Sequence, residues 1–369
     1  MYQSLFYLLL LLAIPLYADI YERLDELPQH MRSGGVPLDG IPAMTNPEAV
    51  APGEAQYLSD SDLVLGLSIN GQARAYPHNL GWKHEVVNDR LGGQYISVTF
   101  CPLTSTGLAF DATASDGQQI ELGISGVLIN SNLVLYDRRD ERTLYPQMIH
   151  AAISGPQQGD KLQLLPATET TWGLWKKMYP HTTIAQAATG LERYPPYIQK
   201  LYPLEAYRRY PYGDYRSNHS FIMFPPSTAP AGSELAAKEM VLGLRLGKAA
   251  KAYPFQRMST RAIINDELAG LPLLVLYEEE NSTAIAYSRR VGEQTLSFHS
   301  VQNDSTTLPI SMRDQETGTQ WDMLGIAVSG PLTGEQLQQL PAYNAMYFAW
   351  SAYWPETSLW HGEGLADND

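Results

Sequence analysis

The chain has 369 residues, 44% of them hydrophobic and only 17% charged, with 23 Tyr, 29 Gly and 25 Pro. That profile excludes a disordered polymer and supplies enough apolar material for about two domains. The net charge of −14 repels nucleic-acid phosphates and anionic lipid surfaces, which argues against both as partners.

An apolar run from Leu8 through Ile14 opens the chain, and Leu16-Tyr17-Ala18 turns polar at Asp19. A membrane span needs about 20 apolar residues. The run is shorter and predicts a signal peptide over residues 1–18, cut after Ala18. The expected product is an exported protein, periplasmic or extracellular, with no integral membrane span after cleavage. No Lys or Arg precedes the run, so an uncleaved N-terminal anchor is the alternative, and a buried helix the third reading. Residues 19–60 read as an N-terminal extension.

From residue 61 the pattern is mostly strand. Leu63 to Ile69 and Gln72 to Tyr76 flank Asn70-Gly71, a two-residue hairpin signal because both turn positions need positive φ. Lys83 to Val87 and Gln94 to Phe100 predict a second hairpin around an Asp89 to Gly93 turn. Ile120 to Ile124 and Leu133 to Tyr136 continue the strands. Thr170 to Tyr179 predicts a helix, capped by Thr170 or Thr171 and stopped by Pro180. Residues 61–190 thus form a first domain. Residues 191–235 are a connector so rich in Tyr and Pro that it should pack on the domains rather than float.

The pattern then returns. Val64-Leu-Gly-Leu67 recurs as Val241-Leu-Gly-Leu244, Tyr76-Pro77 as Tyr253-Pro254, and Asn88-Asp89 as Asn265-Asp266, all 177 positions on. Ser154-Gly-Pro156, Trp175 and Pro180 recur at a shift of 175 as Ser329-Gly-Pro331, Trp350 and Pro355. The expected fold is mainly β, or α+β: two homologous β-rich modules from an internal duplication, each with a short helix near its C-terminal end. The second module covers 236–360, with its helix over Ala345 to Tyr353, and 361–369 is an acidic tail. Barrel and sandwich stay open.

Comparing the copies separates residues that both need from residues that only one keeps. Asn88-Asp89 falls in the first class and reads as turn chemistry. Trp82-Lys-His84-Glu85 faces Ser259-Thr-Arg261-Ala262, and Phe100-Cys101 faces Tyr277-Glu278. The only cysteine therefore stands on a strand predicted to neighbour that of His84. A His beside a Cys can give a nucleophilic thiolate, with Glu85 or Asn88 orienting the ring. The same Cys101 and His84 could instead ligate copper or zinc, with His78, His150 and Glu85 as further donors. A buried structural pair is the plain alternative. Trp82, Thr104, Thr106 and Asn130 are the candidate substrate-binding residues. No Gly-x-Ser-x-Gly, His-Glu-x-x-His or phosphate-binding glycine loop is present.

The stretches Val64 to Pro77, His84 to Asp89, Val98-Thr-Phe-Cys-Pro-Leu-Thr-Ser-Thr-Gly-Leu-Ala-Phe110, Gly126 to Arg138, Tyr212-Gly-Asp-Tyr215, Asp314 to Asp322 and Phe348-Ala-Trp350 resemble the bacterial and archaeal "domain of unknown function 3179" family. The resemblance spans about Asp39 to Trp360. It implies kinship and no activity. Many members look like Cys-Pro-Leu-Cys where this chain has Cys101-Pro-Leu-Thr104, and without a second cysteine dithiol–disulfide exchange is not expected. Two functions are carried forward: a thiolate or soft-metal site at Cys101 and His84, or a non-catalytic binding module. In the second, Tyr- and Trp-rich surfaces at Trp82, Tyr145, Tyr212 and Tyr215 would hold a small molecule, sugar, peptidoglycan or protein partner. The oligomeric state is not legible.

Overall fold

The Asn70-Gly71 turn forms as its residues require, with φ of 49° and 78°. It joins β1 (Leu63–Ile69) to β2 (Gln72–Pro77) in a register running from Ile69↔Gln72 to Val64↔Pro77. These coordinates are a computed structural model describing residues 20–114, 116–227, 234–301 and 308–362. The expected signal segment and most of the acidic tail lie outside the described residues. Among the described residues no helix is long and apolar enough to cross a membrane.

After β2 the chain departs from the sequence expectation. Lys83 and His84 are not strand residues; they end a short helix, α1 (His78–His84). Glu85 then takes a left-handed conformation, φ 56°, and only Val86 starts the next strand. Gly81 lets this helix lie directly on Phe100: a Cβ there would come within 2.5 Å of the Phe100 Cβ. The second hairpin pairs β3 (Val86–Leu91) with β4 (Gln94–Cys101) across Gly92-Gly93. Asn88 and Asp89 are therefore strand residues and not turn residues. The Asn88 amide donates to the Leu122 carbonyl (2.9 Å) and accepts from the Ser97 hydroxyl (2.7 Å) and the Leu122 N–H (2.9 Å). Asp89 accepts from Tyr76 (2.7 Å) and Arg74 (2.6 Å).

A four-residue turn leads from Cys101 to β5 (Thr106–Asp111), with Ser105 at φ 50°. β6 (Leu122–Ile129) and β7 (Asn132–Asp137) follow, joined by Asn130 and Ser131, both at positive φ. β8 (Thr168–Thr171) pairs back onto β1 and runs straight into α2 (Trp172–Met178), whose cap is the Thr171 hydroxyl, 3.3 Å from the Leu174 N–H. Gly66 gives Trp175 its seat: a Cβ there would meet the indole at 2.3 Å.

The C-terminal half repeats these devices. β9 (Met240–Leu246) and β10 (Ala249–Pro254) pair in the same relative register as β1 and β2. β11 (Arg261–Leu268), β12 (Leu271–Glu278) and β13 (Thr283–Ser288) form a three-stranded sheet. β14 (Tyr343–Met346) pairs with β9 and enters α3 (Tyr347–Tyr353). Trp350 sits on Gly243, and its indole N–H donates to Thr357 at 2.8 Å as that of Trp175 does to Thr182. Asn265 holds both backbone groups of Phe298 at 2.7 Å, as Asn88 holds Leu122. The fold is β-rich, with its strands in several small sheets.

The two halves share their cores. One apolar cluster joins Val64, Leu67 and Trp175 to Leu274, Ile285, Tyr287 and Trp321. Another joins Cys101, Phe110, Ile129 and Tyr145 to Val241, Ala252, Trp350 and Tyr353. Hydrogen bonds join the halves as well: Thr170 on β8 meets Thr283 on β13 (2.7 Å), and the Met346 N–H on β14 donates to the Thr104 carbonyl (2.9 Å). Tyr207 and Tyr215 are buried, the Tyr210 hydroxyl donates to the Pro102 carbonyl (2.9 Å), and the Asn79 amide donates to the Tyr207 carbonyl (2.9 Å).

Candidate functional site: a cleft between the halves

Cys101 ends β4 and is buried. Its Sγ lies 3.6 Å from the Ser131 carbonyl, the acceptor for its weak S–H donor. Burial pushes the thiol up to about 11, and the nearby Glu85 carboxyl adds to the rise. A thiol so shifted is neutral at pH 7 and a poor nucleophile.

His84 does not face Cys101 in an ion pair; both its nitrogens are taken. Nδ1 lies 2.7 Å from the Pro42 carbonyl, so it carries the proton, and Nε2, 2.7 Å from the Tyr207 hydroxyl, accepts. The ring packs against Tyr202 and Tyr207, and burial lowers its pKa to about 4. The thiolate–imidazolium arrangement suggested by the sequence is thus replaced by two neutral groups with separate partners. The strand assigned to His84 was the source of the difference: on α1 the ring is turned toward the connector. Neither Glu85 nor Asn88 orients it. Among the described residues no group of three or more His, Cys, Asp or Glu could hold a metal ion, so the further donors that copper or zinc would need do not converge on the pair.

Thr104 and Thr106 are fully buried in a closed polar network. Their hydroxyls meet at 2.8 Å, the Asn132 amide donates to both, and Gln147 bonds Thr106 and Thr99. They brace the Cys101 turn and present nothing to a ligand. Asn130 holds chain segments together, accepting from the Ser227 N–H (3.2 Å) and donating to the Ala352 carbonyl (3.5 Å). Trp82 is half-buried, edge-on to Tyr210, and carries the Arg216 guanidinium 5.3 Å above its ring. Glu85 keeps some surface, yet burial raises its carboxyl to about 8.

The sequence comparison understated a different pair. His78, the first residue of α1, and Glu169 on β8 are each more than nine-tenths buried, with Nε2 and Oε2 3.4 Å apart. Neither atom has a hydrogen-bond partner among the described residues. Both line an open cleft of about 440 Å³ between the halves. Ser105, Leu63, Met240, Phe255, Ser282 and Met346 complete its walls. Asp214, Arg216 and Ser217 of the connector and Lys238 form its upper rim.

The walls pair off by the 177-residue shift: Leu63 with Met240, His78 with Phe255, Ser105 with Ser282. Glu169 matches Asn344 at a shift of 175. Ser105 and Ser282 even share φ, 50° and 49°. His78 therefore stands where the other half has Phe255, and Glu169 where it has Asn344, so the ionisable pair belongs to the N-terminal wall alone. Two cations overlook the polar wall. Arg216 is exposed but pre-oriented, stacked on Tyr210 (4.3 Å to the ring centroid) and Trp82. Lys238 is buried on the Tyr215 ring, donates to the Tyr215 carbonyl, and is lowered in pKa by that burial. The site can offer cationic donors at its rim, a carboxylate acceptor at its floor, and an apolar wall opposite. A signal for it was in the sequence, since His78 and Glu169 both differ from their counterparts, but only the fold brings residues 78, 169 and 216 together.

A family described as a protein of unknown function, DUF3179, matches residues 38–357. Neither the curated proteins nor the solved structures give a match.

Proposed function

Because the chain belongs to the DUF3179 family, whose description assigns no activity, the cleft itself has to suggest a role, and we propose that the protein is an exported ligand-binding protein. Its ligand is a small anionic or zwitterionic molecule with an apolar portion. The single observation behind this is the His78–Glu169 pair: two ionisable side chains lining an open cleft, whose facing atoms Nε2 and Oε2 are buried without a hydrogen-bond partner among the described residues. Buried polar atoms left unpaired cost about 1–3 kcal/mol each, and a bound molecule would relieve that cost. Arg216 and Lys238 would take the anionic group, Glu169 a donor, and Phe255 with the two methionines the apolar part.

In this account Cys101 and His84 are structural. The apolar N-terminal run supports export, and periplasmic or extracellular residence follows from it. We read the halves as products of one duplication, with the second lacking the ionisable pair; the matched registers and the Trp–Gly seats support this.

The test is a thermal-shift panel of amino acids, dipeptides, small carboxylates and phosphate esters, followed by calorimetry on any hit. A specific ligand at 100 times its Kd raises stability by about 2.7 kcal/mol. His78→Phe and Glu169→Asn, the residues the other half carries, should weaken binding about tenfold or more, whereas Cys101→Ser should leave it unchanged. Binding indifferent to both cleft variants would refute the assignment.

A further inference from the structure

At the far end of β1 lies a second cleft, of about 510 Å³, with a different chemistry. Leu63 lines the first cleft and Ile69 the second, so the two lie about 20 Å apart along the strand. The second cleft is lined by Ser68, Asn70 and Thr168 from the N-terminal half and by Gln336, Gln338 and Gln339 from the C-terminal half. Tyr179, half-buried and packed on the buried Trp175, is its aromatic surface, with Tyr287 buried behind the lining. None of the described residues that line it carries a charge, in a chain whose net charge is −14.

One of the three amides is fixed. The Gln339 amide donates to the Thr168 hydroxyl (3.1 Å) and the Ala167 carbonyl (3.3 Å), tying the halves together. Gln336 and Gln338 flank it and are exposed. The matching positions of the C-terminal half provide an internal comparison. Ser68 matches Arg245 and Tyr179 matches Trp354. Arg245 lays its guanidinium 4.5 Å over the Trp354 ring and covers it. Ser68 hydrogen-bonds to Tyr179 but is too short to lie over its ring as Arg245 lies over Trp354.

We infer that this cleft binds a short neutral saccharide. Side-chain amides offer both donor and acceptor and so match vicinal hydroxyls. The half-buried Tyr179 ring matches the apolar C–H face of a sugar, and a cleft of this size is within the range that holds small ligands. A charged ligand would find no counter-charge here and would lose hydration without compensation.

The experiment is calorimetry with maltotriose, cellotriose and triacetylchitotriose, alongside the intrinsic fluorescence of the protein, since Trp175 lines the site. Glucuronic acid serves as the charged control. At least one trisaccharide should bind, with the charged sugar weaker. Ser68→Arg, which copies the other half, should abolish binding while the circular dichroism and Tm stay near wild type. The double variant Gln336→Ala/Gln338→Ala should weaken it about tenfold without changing the fold. His78→Phe in the first cleft should leave it unaffected. Absence of binding by all three sugars at about 10 mM, tighter binding of glucuronic acid, or undiminished binding in the folded Ser68→Arg protein would each overturn the assignment.

Discussion

At the scale of single residues, Cys101 and His84 stand out in the sequence because Glu278 and Arg261 occupy the matching positions of the other half. The contrast was real, but asymmetry alone does not distinguish a side chain lining a cleft from one packed into a core. Cys101 is in a core, and its thiol, pushed up to about 11 by burial, should resist small alkylating reagents at pH 8 in the folded protein. It should react fully in denaturant, and Cys101→Ser should fold. Rapid native-state alkylation would show that the turn opens. Glu85 makes a second prediction. Its carboxyl is raised from an ordinary value of 4.5 to about 8 by burial, so the folded state holds a proton the unfolded chain has lost. Stability contributed by that proton is complete below about pH 4.5 and is lost as pH rises through 8, at up to roughly 1.4 kcal/mol per pH unit. Glu85→Gln should flatten this fall in urea titrations between pH 5 and 8; an unchanged slope would place the carboxyl in solvent. His84 acts at the other end. With its pKa lowered to about 4, its contribution is present above about pH 6.5 and is lost as pH falls toward 4.

At the scale of elements, legibility followed the strength of local chemistry. Asn70-Gly71 needs positive φ at both positions and announces its hairpin; Thr171, Trp172, Trp175 and Pro180 announce α2. The helix α1 was not legible, since seven residues give barely two turns and too little periodicity to outweigh a run that also alternates like a strand. What makes it helical is tertiary: the seat of Gly81 on Phe100 and the left-handed Glu85 that releases the chain into β3. Asn88-Asp89 was read as a turn from residue type alone, while the real turn lies at Gly92-Gly93 and both side chains lock neighbouring strands. The Trp–Gly seats give a prediction at this scale. Gly66→Ala and Gly243→Ala should each force an indole aside and lower stability by about 1–3 kcal/mol. Equilibrium unfolding measures this directly, and a neutral result at either site would mean the indole has room to move.

At the scale of the whole molecule, the sequence pattern suggested two modules in a row, yet the hydrophobic clusters run across both halves. Periodicity reports which face of a strand is apolar and is silent about which sheet will cover it. Trp175 is buried with Trp321, and Phe110 with Trp350. Expressed separately, residues 61–190 and 236–360 should each expose half of a shared core and fail to unfold cooperatively, and mixing them should restore a sigmoidal transition. The same interleaving creates the cleft, whose walls come from both halves and whose rim comes from the connector. In the proposed role His78, not His84, is the histidine that meets ligand. Histidine-selective nitrogen NMR, assigned with His78→Phe and His84→Gln, distinguishes the two when a panel hit is titrated in. The His78 signals should move on saturation while His84 holds its neutral, Nδ1-protonated form throughout. Ligand-dependent shifts at His84 with His78 unmoved would contradict it.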